Sequence, residues 1–395
     1  MARVLVALDL GGGYGHLRRV MPLADLLAAR GHSVAIALRG SAYATEILGS
    51  RPHRLIRAPA HRDMPDETAP AENWADVLLR TGHAEPGVLP RLLREWQALF
   101  EREQPGMVLC DFAPAALMAA QIAGLRSIDT GSGYTPAPQQ VPMPPTRFWA
   151  QVPAARLLAS EAQALAAVNA ARAELGAPPL AALADSLAAD RVVLNCFPEF
   201  DHYGMRPGAD YYGNDFQLDG GVPASWPEGP GPRVFAYLRA GSRALAPVLA
   251  VLRRMGVAAL VHARDLRPEH EAPLSTPRLR LSARPVRMAE VVTACDVVVC
   301  HSPATAAAAL VHARPVVMLP EHVEQTMVAL RLAGQGLAQV PEPEEAQVEA
   351  ALRHALEAPG PAARAAALAR HYSGYDPAEA LAAVADECEA LLLPE

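Results

Sequence analysis

Apolar and polar positions along the chain alternate between two periods. Residues 3–8 and 33–38 are short apolar runs, which predicts strands buried on both faces of a parallel sheet. Residues 21–30 have the spacing of an amphipathic helix, and Gly31 ends it. The pattern continues in the first half with strands at 107–110, 126–129 and 191–196 and helices at 115–123 and within 153–187. This alternation predicts a parallel, doubly wound sheet.

The alternation stops in a segment rich in glycine and proline, from Gly220 to Pro232, and then resumes. The second half has predicted strands at 234–238, 258–262, 296–300 and 315–319 and helices at 245–255 and 304–311. The predicted fold class is therefore α/β, with two doubly wound, Rossmann-like domains. We expect the domains to be residues 1–218 and 233–374, joined by a linker at 219–232, with a helix in 375–395 that returns to the N-terminal domain.

Composition narrows the possible functions. The chain has 395 residues and a formal net charge of −7, and it is too long for one ordinary core. No basic face is expected that would release phosphate counterions, which argues against nucleic-acid binding. The five cysteines are scattered, without a C-x-x-C pair, which indicates buried thiols rather than disulfides or a zinc site. Without a leader-like segment or an apolar run of ~18–20 residues, a cytoplasmic protein with no integral membrane segment is expected.

The turn after the first strand, Gly11-Gly12-Gly13-Tyr14-Gly15-His16, carries the clearest candidate chemistry. It is not a dinucleotide fingerprint, because His16 occupies the position of the third glycine, and it is not a P-loop, because the chain contains no lysine. The glycines allow a sharp turn. His16 falls near the helix start, at the sheet edge where open α/β sheets bind ligands. A helix-capping histidine is the alternative interpretation.

Three predicted strand ends in the second half carry polar residues. Two of them precede helices: Gly241-Ser242, and His301-Ser302 with Thr305 nearby. Backbone N–H groups at such helix starts bind phosphate, although ordinary capped helix starts have the same sequence pattern. The third end runs from Glu321 to Gln325, where an acid and an amide can bind sugar hydroxyls. An ordinary polar loop is the alternative there.

Taken together, these features resemble the UDP-glycosyltransferases and bacterial natural-product glycosyltransferases, and more distantly the lipid II-forming GlcNAc transferase. The similarity covers nearly the whole chain. It includes the Gly-His turn with the "LA…L…RGH.V" pattern that follows, the aspartate strand at 108–112, and a donor signature from His301 to Gln325. The signature departs from the family pattern, because Ser302-Pro303 replaces Gly-Gly and Ala308 stands near the acid that holds the ribose in many relatives.

The resemblance implies the GT-B fold, with two domains facing across a cleft. It implies inverting transfer from a UDP- or TDP-sugar to a hydroxyl or another nucleophile of a small-molecule, lipid or peptide acceptor. His16 would be the general base and Asp111 the residue that orients it, while a helix N-cap is the alternative for Asp111. No metal and no bound cofactor are implied, and we expect a monomer or homodimer.

Further site residues follow from the resemblance and from the predicted loops. The implied donor contacts are Gly241, Ser242, Val286, His301, Ser302, Thr305, Glu324 and Gln325. Candidates for the acceptor site are Gly13, Tyr14, Trp74, Tyr134 and Trp149.

Two other functions stay open at this point. The stretch Gly15-His16-Leu17-Arg18-Arg19 also resembles the "GH..R" turn of GT-B nucleotide-sugar hydrolases, in which water attacks the sugar. A non-catalytic GT-B binding protein would account for the altered donor signature. The presence of both His16 and Asp111 argues against that last alternative.

Overall fold

A computed structural model shows the chain as two compact units, Met1–Asp215 with Asp376–Glu395, and Phe216–Tyr375. The structure describes residues 1–11, 14–40, 44–49, 51–61, 71–214, 218 and 220–393. Each unit contains a six-stranded sheet in which neighbouring strands pair in parallel. The predicted α/β class, with two doubly wound, Rossmann-like domains, is confirmed.

The sheet of the first unit has the strand order β3-β2-β1-β4-β5-β6. Its strands are β1 (Arg3–Leu8), β2 (Ser33–Leu38), β3 (Arg54–Arg57), β4 (Met107–Asp111), β5 (Arg126–Gly131) and β6 (Arg191–Leu194). The helices between and around them are α1 (Tyr14–Ala29), α2 (Ala44–Leu48), α3 (Trp74–Arg80), α4 (Val88–Glu103), α5 (Pro114–Ala123) and α6 (Ala154–Glu174).

The sheet of the second unit has the order β12-β11-β10-β7-β8-β9. Its strands are β7 (Arg233–Arg239), β8 (Ala258–Arg264), β9 (Leu279–Ser282), β10 (Val297–Cys300), β11 (Val316–Met318) and β12 (Ala338–Gln339). Its helices are α7 (Leu245–Met255), α8 (Glu271–Leu274), α9 (Met288–Ala294), α10 (Pro303–Val311), α11 (Val323–Gly334), α12 (Glu345–Glu357) and α13 (Pro359–His371). The last helix, α14 (Pro377–Leu392), belongs to the first unit.

Core packing on both faces of the central strands explains why they read as continuous apolar runs. In β1, Val4 and Val6 pack into the cluster that includes α1 and α14, whereas Leu5 and Ala7 pack into the cluster that includes α4 and α5. Each strand residue therefore loses water contact on one face or the other, at about 25 cal/mol per Å² of apolar surface. The edge strands β3, β9 and β12 are only four, four and two residues long, and β3 is mostly exposed, so the sequence pattern did not predict them.

The described part of the glycine- and proline-rich segment is bound to the second unit. The Val222 N–H donates to the Pro285 carbonyl over 2.8 Å, and the Arg287 N–H donates to the Val222 carbonyl over 2.8 Å. Gly221 has a φ of +106°, and a Cβ at this residue would lie 2.4 Å from the Pro285 oxygen. Only glycine permits this close approach, which lets Val222 form an isolated parallel bridge with Val286.

Candidate functional site

His16 and Asp111 meet at the carboxyl edge of the first sheet. Asp111 is the last residue of β4, and His16 lies in the first turn of α1, which follows the neighbouring strand β1. The His16 Nδ1 lies 2.6 Å from the Asp111 Oδ1. The Asp111 side chain is fully buried, and that of His16 is 27% exposed. The structure thus brings together the two residues that are predicted to form the general base.

Electrostatics keep Asp111 ionised in spite of its burial. Burial raises the pKa of this carboxyl, but the nearby Arg19 guanidinium and His16 imidazole outweigh that effect and lower the pKa to about 2. An ionised carboxylate only accepts hydrogen bonds, so the short contact requires a proton on Nδ1 of His16. That tautomer leaves the lone pair on Nε2, where a general base needs it.

The alternative role of Asp111, as an N-cap of α5, is excluded by the geometry. The N-cap position of α5 is Ala113, and no side chain caps it there. The backbone N–H groups of Ala115 and Ala116 instead donate to Oδ2 of Asp9, over 2.8 and 3.2 Å. Asp111 is therefore directed to α1, on the opposite face of the sheet from α5.

Arg19 is a member of this cluster that sequence reasoning did not single out. Its Nε donates to Asp111 Oδ2 over 2.7 Å, and its Nη2 donates to Asp111 Oδ1 over 3.1 Å. It lies three residues after His16 on α1, so both side chains share one helix face. The chain has no lysine, so arginine occurs often and a single arginine carries little information by itself. Only the "GH..R" resemblance marked position 19.

The glycine turn leaves room for the histidine. A Cβ on Gly11 would lie 2.9 Å from Nδ1 of His16 and 3.2 Å from the Asp111 carbonyl oxygen. Any larger residue at position 11 would therefore displace the imidazole from its carboxylate. Gly13, a candidate for acceptor contacts, lies outside the described residues, and Tyr14 is described only as the first residue of α1.

A series of aromatic rings adjoins His16. The Phe112 ring stacks on His16 with 5.7 Å between centroids, and Trp74 stacks on Phe112 at 5.3 Å. Tyr134 contacts both Trp74 and Phe112 edge-on. Trp74 is only 4% exposed, so it supports this series from the core. Trp149 is 39% exposed, and its ring contacts Phe148.

The loop that carries Tyr134 is tied to the end of β5. Arg206 donates from Nη1 to the Pro136 carbonyl and from Nη2 to the Gly133 carbonyl, both over 2.7 Å. A Cβ on Gly131 would lie 1.9 Å from the Thr135 carbonyl oxygen. The backbone therefore closes tightly at this point, which holds the Tyr134 ring against the aromatic series.

In the second unit, a row of rings lies near the carboxyl ends of three neighbouring strands. His301 follows β10 and lies 4.9 Å from the Tyr237 ring, which stacks on His262 at 5.2 Å. Burial lowers the pKa of His301 to about 4, so its imidazole is neutral at pH 7. Its Nδ1 is buried and has no hydrogen-bond partner within the described part of the chain.

The two predicted helix-start sites have local hydrogen bonds of their own. Ser302 is the N-cap of α10, and its hydroxyl accepts from the Thr305 N–H at 3.5 Å. The Ser242 hydroxyl accepts from the Ala244 N–H at 3.1 Å, and α7 begins just after it. Gly241 is exposed, and a Cβ there would meet no atom within 4 Å. The capped helix start is thus present at Ser302.

The remaining donor candidates differ in exposure. Gln325 is 8% exposed, and its Oε1 accepts from the Glu321 N–H at 2.8 Å, while Glu324 lies half-buried in the first turn of α11. Val286 forms a parallel bridge with Val222, in which the hydrogen bonds are made by Pro285 and Arg287. The N–H and C=O of Val286 itself therefore point away from Val222. Ala308 is 4% exposed in the core side of α10.

Among the described residues, no group of three or more His, Cys, Asp or Glu side chains is arranged to hold a metal ion. All five cysteines are free and buried, as the sequence predicted. Within the described ranges, no helix has both the length and the apolarity needed to cross a membrane.

Comparison with known proteins identifies the class of fold. No protein-family model and no curated protein matches the sequence. Solved structures do match: the glycosyltransferase of kitacinnamycin has 18% identity, 99% coverage of both chains and a TM-score of 0.70. Glycosyltransferase VinC in complex with DTDP has 17% identity, coverage of 98% and 100%, and a TM-score of 0.67. Spinosyn rhamnosyltransferase SpnG, complexed with spinosyn aglycone, has 19% identity, coverage of 97% of this chain and 100% of that chain, and a TM-score of 0.61. The chain has the fold of these glycosyltransferases, GT-B.

Proposed function

We propose that this protein is a GT-B glycosyltransferase that moves a sugar from a UDP- or TDP-sugar to a hydroxyl or another nucleophile of a small-molecule, lipid or peptide acceptor. The observation that carries the proposal is the 2.6 Å contact between His16 and a buried, ionised Asp111 at the sheet edge. The similar structures in complex with DTDP and with an aglycone support a nucleotide-sugar donor and an organic acceptor.

The chemistry follows from the tautomer of His16. The Nε2 lone pair takes the proton from the acceptor hydroxyl as its oxygen attacks the anomeric carbon. The bond from that carbon to the diphosphate oxygen breaks, and the nucleoside diphosphate leaves with the bonding electron pair. A single in-line displacement inverts the anomeric carbon. Asp111 stabilises the imidazolium and holds the ring, as in other His-Asp pairs.

The donor is proposed to bind at the strand ends of the second unit. The N-terminus of α10 supplies backbone N–H groups and the positive end of its helix dipole to the diphosphate. The neutral His301 can donate to a phosphate oxygen, and the outward N–H and C=O of Val286 suit the edge of a nucleobase. The full set of proposed donor contacts is Gly241, Ser242, Val286, His301, Ser302, Thr305, Glu324 and Gln325.

The acceptor is proposed to bind in the first unit, beside His16. Phe112 and Tyr134 offer apolar ring surface there, and Trp74 supports them from the core. Aromatic surface of this kind favours an apolar or aromatic aglycone over a strongly hydrophilic one. We therefore propose Trp74 and Tyr134 as residues of the acceptor side, and the exposed Trp149 as a further candidate for acceptor contact.

The test combines donor binding with turnover. UDP-, TDP- and GDP-sugars are screened by thermal shift, since a ligand of the native state raises its stability. A panel of phenolic and macrolide acceptors is then assayed with each donor that binds. His16→Ala is expected to abolish transfer while donor binding persists, and His354→Ala on the exposed face of α12 serves as the matched control.

Each outcome of this test has a meaning. Near-normal transfer by His16→Ala contradicts the general-base role. Rapid, stoichiometric release of free sugar without any acceptor favours the hydrolase. A screen in which no nucleotide sugar stabilises the protein favours the non-catalytic alternative, which the altered donor signature, Ser302-Pro303 with Ala308, supports.

A further inference from the structure

We infer that Arg19 is a positioning residue that holds the Asp111 carboxylate in one orientation and thereby keeps His16 in the tautomer with its proton on Nδ1. The inference deepens the proposed function and rests on it for one point, that the imidazole of His16 acts as a general base. The arrangement itself stands on the contacts among the three side chains.

The carboxylate of Asp111 is held at both oxygens. Arg19 binds Oδ2 through Nε at 2.7 Å and Oδ1 through Nη2 at 3.1 Å, while His16 Nδ1 binds Oδ1 at 2.6 Å. A two-point contact from a planar guanidinium fixes the plane of the carboxylate. Without Arg19, Oδ2 would lose this charged donor, and the carboxylate could rotate about the Cβ–Cγ bond of Asp111.

The close approach of Arg19 and His16 admits two proton arrangements, and the contact with Asp111 selects one of them. The Arg19 Nη2 lies 2.9 Å from the His16 Nδ1, and a guanidinium is a donor only. If Nη2 donated to a lone pair on Nδ1, that nitrogen and the ionised Oδ1 would face each other at 2.6 Å without a proton between them. Both nitrogens carry a proton when each directs it at Oδ1, which lies within reach of both. The shorter distance, from Nδ1 to Oδ1, is that of a charge-assisted bond to a carboxylate.

Loss of Arg19 is expected to reverse this arrangement. Arg19 is the strongest influence that lowers the pKa of the fully buried Asp111, and burial alone raises that pKa. A protonated Asp111 would donate to Nδ1, which must then carry a lone pair. The imidazole proton would move to Nε2, the atom that is proposed to receive the proton of the acceptor.

The tautomer of His16 can be measured without any substrate. Uniformly ¹⁵N-histidine-labelled protein gives long-range ¹H–¹⁵N spectra that separate Nδ1–H from Nε2–H forms, and His16→Gln identifies the signals of His16. We expect Nδ1–H in the wild type, a mixture or the Nε2–H form in Arg19→Gln, and the wild-type spectrum in Arg18→Gln. Arg19→Lys keeps the charge but not the planar fork, so a partial change is expected.

Two results would overturn the inference. The first is an Nε2–H form of His16 in the wild type, with its signals identified by their loss in His16→Gln. The second is an unchanged His16 signal in both Arg19→Gln and Arg19→Lys, with the signals of the other histidines showing that the variants are folded.

Turnover supplies a second readout once a donor and an acceptor are known. Arg19→Gln is expected to lower kcat by about 10- to 100-fold, as for other residues that orient a directly acting group, with little change in the donor KM. Arg19→Lys should recover part of the loss. If no transfer is found with any pair, the proposed function fails while the spectra still decide the inference. Normal kcat in Arg19→Gln contradicts the inference alone.

Discussion

Asp9 offers a quantitative test of the electrostatics at the end of β1. It is 4% exposed, and its Oδ2 accepts from the first N–H groups of α5, whereas Oδ1 is buried without a hydrogen-bond partner among the described residues. Burial raises the pKa of this carboxyl from 3.8 to about 7. The substitution Asp9→Asn keeps an oxygen for the two backbone bonds and removes the titration.

The sign follows from proton binding. Between pH 3.8 and about pH 7 the unfolded chain has released the Asp9 proton and the folded chain has kept it, so the free energy of unfolding falls as the pH rises. Below this window both states are protonated, and above it both are ionised. Each pH unit is worth ~1.36 kcal/mol, so wild-type protein loses about 4 kcal/mol across the window. The asparagine variant does not lose this contribution.

Urea unfolding from pH 4 to pH 8 measures the difference. A Trp226→Phe background leaves tryptophan only in the first unit, so that fluorescence follows that unit alone through Trp74, Trp96 and Trp149. Relative to this parent, Asp9→Asn is expected to gain about 4 kcal/mol between pH 4 and pH 8, whatever constant cost the buried amide adds. Glu95→Gln, at an exposed site of α4, should show no such trend. A difference that stays constant within about 1 kcal/mol over this range refutes the reasoning.

Three further changes test other parts of the structure. Gly131→Ala should destabilise the first unit by at least about 2 kcal/mol in urea unfolding, because its Cβ would meet the Thr135 carbonyl. The control Gly334→Ala, whose Cβ would meet no atom within 4 Å, should be neutral or slightly stabilising. Ala308→Glu should lower the free energy of unfolding of the second unit by about 3 kcal/mol or more, because it places a charge at a buried position. Urea unfolding that differs from the wild type by less than about 1 kcal/mol would contradict that. As the pH falls from 6.5 to about 4, the wild type should lose roughly 3 kcal/mol of its free energy of unfolding, because the unfolded chain takes up a proton at His301 and the folded chain does not. His301→Gln should not show this loss. Equal loss of stability in acid for both proteins would exclude His301 as its origin.

The strands that the sequence predicted are those with buried faces on both sides. β10 is apolar along its whole length, and β1 and β4 are apolar except for Arg3 at the start of β1 and Asp111 at the end of β4. Helices cover both faces of each sheet, so these runs predict buried strands. β3 consists of Arg-Leu-Ile-Arg at the edge of its sheet, with water on part of its surface. Its four residues do not alternate between apolar and polar, so their sequence does not predict a strand. The strand forms because its backbone pairs with β2.

The candidate site divides in the same way. The sequence by itself determined that His16 and Asp111 would each follow a buried parallel strand, since the order of elements places strand ends at one edge. Only the family resemblance implied that they touch, because the contact spans 95 positions and depends on how α1 docks against β4. The contact of Arg19 with Asp111 was decided by the tertiary structure, since the resemblance marked this position but not its partner. The fold buries the Asp111 carboxylate beside Arg19, where water competes less for the pair than it does at an exposed ion pair.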